Sequence, residues 1–217
     1  MITISSALED AIKNRPFLEE GLASGIINFS ALARRLKPEL ERRLYRKMTD
    51  ASVIMALQRM RPRIKRMSKA GLKELKSLKN LTVRSNLVEY VFYNSPALVP
   101  LQKKLLEIIE KRKDSFVNLL QGAAETTIIA SRNLQPQIET IIPKHLRISR
   151  IEALGSITLT MSPSQVYVPG VYYNLLKALA WENLNVMEAV SGYDEITLVF
   201  EEKNIQKAFA CIKQLTA

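Results

Sequence analysis

The C-terminal stretch 154–215 has a hydrophobic period that changes from two to about 3.6 and back, twice over. Alternating apolar positions predict strands, and apolar positions three and four apart predict helices. The predicted elements are a strand at 157–161, a helix at 171–179, strands at 186–190 and 196–200, and a closing helix at 205–212. Ser191-Gly192-Tyr193-Asp194 predicts the hairpin turn between the last two strands. This order suits a split βαβ sandwich, in which two helices cover one sheet.

The preceding stretch repeats this order with different residues. The pattern predicts a long strand from Leu81 to Asn94, a helix face over 98–109, a hairpin of 116–120 with 126–130, and a short helix over 134–142. We interpret the stretch as an internal repeat of the C-terminal unit. We expect this copy to be structural, pairing an edge strand with the second copy so that neither edge stays open.

The first 60 residues carry helical patterns separated by capping and turn signals. The predicted helix starts are a capping box at Ser6–Glu9, Pro16, Asn28–Ser30, Pro38 and Thr49 or Asp50. Gly25 predicts the end of the second helix. Several short helices, one of them over Glu39–Lys47, therefore predict a small helical bundle.

Within this bundle, residues 26–60 resemble a helix-turn-helix, with Thr49–Met60 as its recognition helix. Val53, Ala56, Leu57 and Met60 would form its inner face. Ser52, Met55 and Arg59 would form the outer face, where they could contact DNA. Small helical bundles that bind proteins share all of these features, so both interpretations stay open.

Three short motifs in the C-terminal unit connect it to a known family. They are Val168-Pro169-Gly170-Val171 before the first helix, Leu184-Asn185-Val186 at the second strand, and residues 191–196 across the hairpin. The segment resembles the ACT domain, an amino-acid-sensing module, and is most similar to the C-terminal ACT domain of aspartate kinases. It covers less than a third of the chain, and nothing in the sequence resembles the kinase domain of those enzymes.

The resemblance implies an α+β fold in which a helix-turn-helix-like domain precedes tandem ferredoxin-like ACT domains. The expected boundaries are a helical domain at 1–61, a basic linker at 62–80, a degenerate ACT-like domain at 81–150 and an ACT domain at 151–217.

Composition favours a water-soluble protein of a reducing compartment. The chain has 217 residues, 47% of them hydrophobic, and no run of 18 apolar residues. Its N-terminus lacks the charged-then-apolar order of a secretory signal. Cys211 is its single cysteine, which excludes an intramolecular disulfide and favours the cytoplasm. We expect no membrane association.

Charge is concentrated in the N-terminal third. Residues 1–80 contain 18 Lys and Arg against 8 Asp and Glu, whereas residues 81–217 contain 14 against 13. So basic a segment is a candidate for binding a phosphate backbone, although a solvated helix surface has the same composition. The candidate phosphate contacts are Arg61, Arg63, Lys65, Arg66 and Lys69. A flexible solvated linker is the alternative interpretation of this run.

Catalytic motifs are not apparent in the sequence. Its 7 glycines form no phosphate-cradling loop, and no cysteines or histidines have metal-ligand spacing. The sole histidine, His145, is expected in a surface loop, and Cys211 among the buried positions of the last helix. Glu201 and Glu202 are expected at a strand end and a helix start. We therefore expect neither an enzyme nor a cofactor.

The resemblance also implies a ligand site, since ACT domains generally hold their ligand between paired modules. It maps to Gln165, Tyr167, Val168, Pro169, Gly170 and Val171, with Asn185, Val186 and Met187 opposite. Free N–H groups at a helix start can hold a carboxylate, and an asparagine amide can both donate and accept. Alternatively, Pro169 and Gly170 form only a helix-entry turn and Asn185 only a strand-entry turn.

The combined expectation is a regulator in which an amino acid or similar effector binds paired ACT domains and controls an N-terminal DNA-binding domain. ACT pairing and helix-turn-helix half-sites both favour a homodimer. The alternative is a non-catalytic regulatory subunit that binds an amino-acid metabolic enzyme such as an aspartate kinase.

Overall fold

A computed structural model describes residues 3–13, 15–78, 80–111, 115–142, 144–162 and 167–216. Contacts divide the chain into two compact units. The first contains the described residues up to Lys76 together with Tyr167–Asn174, and the second contains the rest.

Four helices build the main part of the first unit. They are α1 (Ile4–Lys13), α2 (Pro16–Ser24), α3 (Phe29–Leu44) and α4 (Asp50–Lys76). Their shared core is made by the apolar stripes of all four helices, including Leu8, Leu22, Leu36, Leu40, Val53 and Leu57. The predicted inner face of residues 49–60 is confirmed, because Val53 and Leu57 are fully buried while Met55 and Arg59 are exposed.

Two of the predicted helix caps are present and one is wrong. Asn28 Oδ1 accepts from the N–H groups of Ser30 (2.9 Å) and Ala31 (3.1 Å). Thr49 Oγ1 accepts from Ser52 N–H at 3.2 Å. The capping box at Ser6 is wrong, because α1 begins earlier and Ser6 N–H donates to Thr3 Oγ1 at 3.1 Å. A hydroxyl at either position could satisfy a free N–H, so the sequence pattern alone did not separate them.

Two prolines lie inside helices of this unit. Pro38 does not start a helix but lies inside α3. Pro62, at the start of the predicted linker 62–80, lies inside α4, so the chain is helical as far as Lys76. An interior proline costs about 3 kcal/mol. Burial of an apolar stripe on both sides of each proline, at Leu36 and Leu40 and at Leu57 and Ile64, offsets that cost.

The second unit is organised on one antiparallel sheet. Its strands are β1 (Asn80–Tyr93), β2 (Val117–Gln121), β3 (Glu125–Ser131), β4 (Arg147–Thr160), β5 (Glu188–Ser191) and β6 (Glu195–Glu201). The order across the sheet is β2-β3-β1-β4-β6-β5, with β1 and β4 paired at the centre. Its helices are α5 (Leu98–Lys111), α6 (Gln135–Ile141) and α8 (Ile205–Thr216). Helix α7 (Val171–Trp181) is shared, because its residues up to Asn174 belong to the first unit and the rest to the second. Each half therefore has the predicted order of strand, helix, two strands and helix.

The two halves repeat each other in local detail. In both hairpins a glycine N–H donates to a glutamate carbonyl three residues on, from Gly122 to Glu125 at 2.8 Å and from Gly192 to Glu195 at 2.9 Å. The two central strands have 14 residues each, and each has a left-handed residue at its seventh position. These residues are Asn86, with φ 59°, and Ala153, with φ 53°. Both lie where the β1–β4 register shifts or stops, as expected for bulges.

The two faces of the sheet carry separate buried clusters. On one face, Val88, Tyr90 and Phe92 pack with apolar residues of α5 and α6. On the opposite face, Leu87, Ile129, Leu154 and Val199 form a second buried cluster whose members all come from strands. We call this the strand-side cluster. Because successive residues point to opposite faces, residues 87–90 of β1 are all buried. None of the helices among the described residues combines the length and apolar character needed to cross a membrane.

Candidate functional site

The predicted ligand turn lies just before α7. Gly170 has φ 91°, a conformation that glycine adopts without strain, and its carbonyl accepts from Asn174 Nδ2 at 2.7 Å. Tyr167 is 77% exposed, whereas Val171 is buried at the helix start. Val168 is half-buried, Pro169 is exposed, and Gln165 lies outside the described residues.

Part of this turn is already packed against protein within the first unit. A Cβ placed on Gly71 would lie 2.6 Å from the carbonyl carbon of Gly170, so the two backbones are in close contact. Tyr173 O–H donates to Glu20 Oε1 at 2.7 Å, and this bond, with burial, raises the pKa of Tyr173 to about 12. The helix-entry interpretation of Pro169 and Gly170 therefore has direct structural support, and only the exposed side of the turn is open to a ligand.

The other predicted ligand residues precede β5 in the second unit. Asn185 is exposed and donates from Nδ2 to Met187 Sδ at 3.3 Å. Met187 N–H donates to the Val199 carbonyl at 2.8 Å, and its side chain packs on the strand-side cluster. Val186 between them is half-buried. The predicted site is thus divided between the two units, with Tyr167–Val171 in the first and 185–187 in the second.

Sequence reasoning missed a buried carboxyl group at the centre of the sheet. Glu89 is only 4% exposed, and its Oε2 has no hydrogen-bond partner among the described residues. Burial, with a smaller contribution from the negative charge of Glu188, raises the pKa of Glu89 to about 7. Glu89 occupies the face of β1 that carries Leu87, and that alternation was the one signal in the sequence.

Other buried polar groups lie on strands of the same unit. Thr158 and Thr197 are joined through their hydroxyl groups at 2.8 Å, and Arg84 Nη1 donates to Thr158 Oγ1 at 3.3 Å. The Arg84 guanidinium also lies 4.8 Å from the centre of the Phe116 ring, within cation–π range. Buried polar groups of this kind cost free energy unless they are satisfied, so they mark this part of the sheet as chemically distinct from the core under the helices.

Some of the predicted DNA contacts on α4 are exposed, whereas others contact protein within the helical unit. Met55 and Arg59 are exposed on the outer face, and half-buried Ser52 donates its hydroxyl to the Thr49 carbonyl at 2.7 Å. By contrast, Arg61 and Arg63 have partners within the helical unit. Arg63 Nη1 pairs with Glu9 Oε1 at 2.6 Å, and the Arg61 guanidinium lies directly against Gly25 at the end of α2. The side chains of Lys65, Arg66 and Lys69 lie outside the described set.

His145 and Cys211 occupy ordinary structural positions. His145 is exposed in a short 3-10 helix, as expected for a surface position. Cys211 is half-buried on α8, and burial raises the pKa of its thiol, which disfavours the nucleophilic thiolate. Across the described part of the chain, no three His, Cys, Asp or Glu side chains converge to hold a metal.

Comparison with known proteins identifies the fold. No protein-family profile matches the sequence, and no curated protein matches it. Among solved structures, the Clostridium acetobutylicum aspartate kinase is similar with a TM-score of 0.51 and 13% identity over 64% of this chain. The match covers 35% of that enzyme, so the matched part of this chain spans about a third of its length.

In two further similar structures the matched chain is covered almost completely. A structure of aspartokinase alpha and beta subunits has a TM-score of 0.50 and 12% identity, over 64% of this chain and 98% of that chain. The regulatory subunit of aspartate kinase from Thermus thermophilus has a TM-score of 0.50 and 10% identity, over 64% of this chain and 97% of that chain. At these identities the likeness shows the fold alone: about two thirds of the chain has the α+β, antiparallel-sheet fold of aspartate kinase regulatory regions.

Proposed function

We propose that this chain is a non-catalytic regulatory protein that senses an amino acid or similar small effector through two ACT-like modules, 81–150 and 151–217. The observation that carries the proposal is the likeness of the sheet to regulatory regions of aspartate kinases. The repeated hairpins and matching central strands of the two halves support a tandem, ferredoxin-like arrangement.

A thermal-shift screen over the free amino acids tests ligand binding directly. A ligand that binds only the folded state adds about 2.7 kcal/mol to the free energy of unfolding at 100 times its Kd. We expect one amino acid, or a small group of them, to raise the melting temperature in a saturable manner. A screen in which every amino acid leaves the melting temperature unchanged would reject amino-acid sensing.

The residues proposed to hold the ligand are Tyr167–Val171 and 185–187. Asn185→Ala deletes one exposed amide, so it should abolish the ligand-induced shift and leave the melting temperature of the free protein nearly unchanged. Asn204→Ala, at an asparagine of the 3-10 helix before α8 and outside the proposed site, is the control. If Asn185→Ala unfolds the protein, the residue is a turn former and the assignment is wrong.

We propose further that the helical unit binds duplex DNA as a helix-turn-helix formed by α3 and α4. Support comes from the exposed Met55 and Arg59 on the first part of α4, and from the basic excess of residues 1–80. Binding of the full chain to mixed-sequence duplex should weaken steeply with salt, because neutralised phosphates release counterions. Arg59→Gln should change the preference among sequences, since it removes a candidate base contact.

Ligand and DNA must influence each other if the protein is a ligand-controlled regulator. Typical couplings of 1–3 kcal/mol correspond to about a 5- to 150-fold change in affinity, and the change is the same in both directions. A homodimer would place two helical units on two half-sites. Measuring the amino-acid Kd with and without DNA, and the DNA Kd with and without amino acid, tests this reciprocity.

The second candidate function is that of a regulatory subunit for a separate metabolic enzyme. It is favoured by one observation: the matches cover 98% and 97% of two chains from structures described as kinase subunits. Sedimentation of this protein mixed with a purified catalytic aspartate kinase chain distinguishes the two functions. A stable complex without salt-dependent DNA binding would favour the subunit.

A further inference from the structure

The turn between α3 and α4 presents an aromatic side chain in an unusual backbone conformation. Tyr45 is 95% exposed and has φ 51°, in the left-handed region that residues with a Cβ adopt at a cost. Glycine is the usual residue at such a helix end, as Gly25 is at the end of α2. An exposed tyrosine therefore replaces the residue that would stabilise this turn best.

The turn is nevertheless fixed by hydrogen bonds. Tyr45 N–H donates to the Glu41 carbonyl, which closes the end of α3. Met48 N–H donates to Glu41 Oε1 at 2.8 Å, and Met48 itself is buried in the helical core. On the far side of the turn, Lys37 Nζ pairs with Asp50 Oδ1 at 2.9 Å. The Tyr45 backbone is thus fixed from both sides of the turn.

Three exposed cations surround the tyrosine. Arg42, Arg46 and Lys47 line one open depression with Tyr45, Pro38 and Glu41. Among the described residues none of the three forms an ion pair, whereas neighbouring Arg43 pairs with Glu39 at 3.0 Å. Glu41 is the one acid of the depression, and its Oε1 is occupied by the Met48 N–H. The depression therefore has excess positive charge that the helical unit does not use internally.

We propose that this turn, rather than Arg61 and Arg63 of α4, is the main contact with the phosphate backbone of duplex DNA. The three cations neutralise phosphates, and the Tyr45 hydroxyl donates a hydrogen bond to a phosphate oxygen, as tyrosines do in protein–DNA complexes. The turn directly precedes α4, whose exposed residues Met55 and Arg59 are the candidate base contacts. This inference rests on the proposed DNA-binding function.

The salt dependence of binding tests the cations. For the full chain on a mixed-sequence duplex, each neutralised phosphate contributes about −0.9 to the slope of log K against log salt. The triple variant Arg42→Gln, Arg46→Gln, Lys47→Gln should make the slope shallower by about 2.7. The control triple variant Lys103→Gln, Lys104→Gln, Lys111→Gln removes the same charge from exposed positions of α5 and should leave the slope unchanged.

Single substitutions test the tyrosine separately from folding. Tyr45→Gly should weaken DNA binding about 10-fold, the usual effect of losing a hydrogen bond to a charged group, while the melting temperature stays equal or rises. Tyr45→Phe keeps the ring and should lose the same affinity if the hydroxyl is the contact. An unchanged affinity in Tyr45→Phe combined with tighter binding of single-stranded DNA would indicate base stacking and would overturn the backbone contact.

The outcomes separate the two proposals. If the unmodified chain binds no DNA at low salt, the DNA-binding function fails, and this inference fails with it. If the unmodified chain binds and the turn and control variants have equal slopes, the DNA-binding function stands and the turn is rejected as its contact surface.

Discussion

Replacing Glu89 with glutamine should stabilise the protein in a strongly pH-dependent way. Glu89 is buried with one carboxyl oxygen unpaired, and the pKa of this group rises from 4.5 to about 7 on folding. The folded state therefore holds its proton more tightly than the unfolded state does. Below pH 4.5 the group is protonated in both states and costs little. As pH rises through 7 the folded protein must ionise a buried carboxyl group, and stability falls.

The size of the effect follows from the two pKa values. One pKa unit corresponds to about 1.4 kcal/mol, so the ionised group costs the folded state about 3 kcal/mol at pH 8. Glutamine stays neutral at every pH. The free energy of unfolding of Glu89→Gln should therefore exceed that of the unmodified chain by about 3 kcal/mol at pH 8 and nearly equal it at pH 4.5. Urea unfolding at fixed ionic strength, followed by far-ultraviolet circular dichroism, measures both differences.

Two further variants isolate the cause. Glu188→Gln removes the neighbouring negative charge and should lower the pKa of Glu89, giving a smaller gain in the same direction. Glu107→Gln removes an exposed carboxylate of α5 and should not change the pH dependence. Equal pH dependence in Glu89→Gln and the unmodified chain would refute the assignment of a buried, protonated carboxyl group.

Three backbone and packing predictions concern other positions. Gly155→Ala should destabilise the sheet by about 1–3 kcal/mol, because the new Cβ would lie 2.5 Å from Ile205 Cγ1; urea unfolding measures this. Ala153→Gly should raise the melting temperature, because it removes a left-handed conformation that costs alanine about 1 kcal/mol. Asn86→Gly should raise the melting temperature less, because asparagine tolerates that conformation better. Asn28→Ala should cost about 1 kcal/mol by removing the α3 cap, and an unchanged melting temperature would contradict that role.

The sheet half was predictable because its local signals agree with one another. Both hairpins have a glycine in the turn, and each of the six strands overlaps a segment that the sequence pattern predicted as a strand. The burial of Glu89 was not predicted, because apolar alternation predicts one buried face for a strand. The central strand β1 buries both of its faces. Whether the second face of a strand is covered depends on distant residues and cannot be deduced from its own pattern.

The helical half was less predictable because proline gives an ambiguous signal. Pro38 was predicted to start a helix and the basic run 62–80 to form a linker, but α3 and α4 continue through Pro38 and Pro62 because burial of their apolar stripes decides the outcome. The exposed side of α4 was predicted correctly from its inner stripe. The intramolecular partners of Arg61 and Arg63 were not predictable, since Gly25 and Glu9 are brought close to them only by the packing of the bundle.

The pairing of β1 with β4 gives the sheet an unusual independence from protein concentration. Each half contributes one central strand, so the ladder between them joins two segments of a single chain. A short connection between associating modules gives an effective concentration in the millimolar range, far above that of most cellular proteins. The two halves therefore stay joined at any dilution. Dilution of the protein would act on contacts between separate chains and leave this central ladder intact.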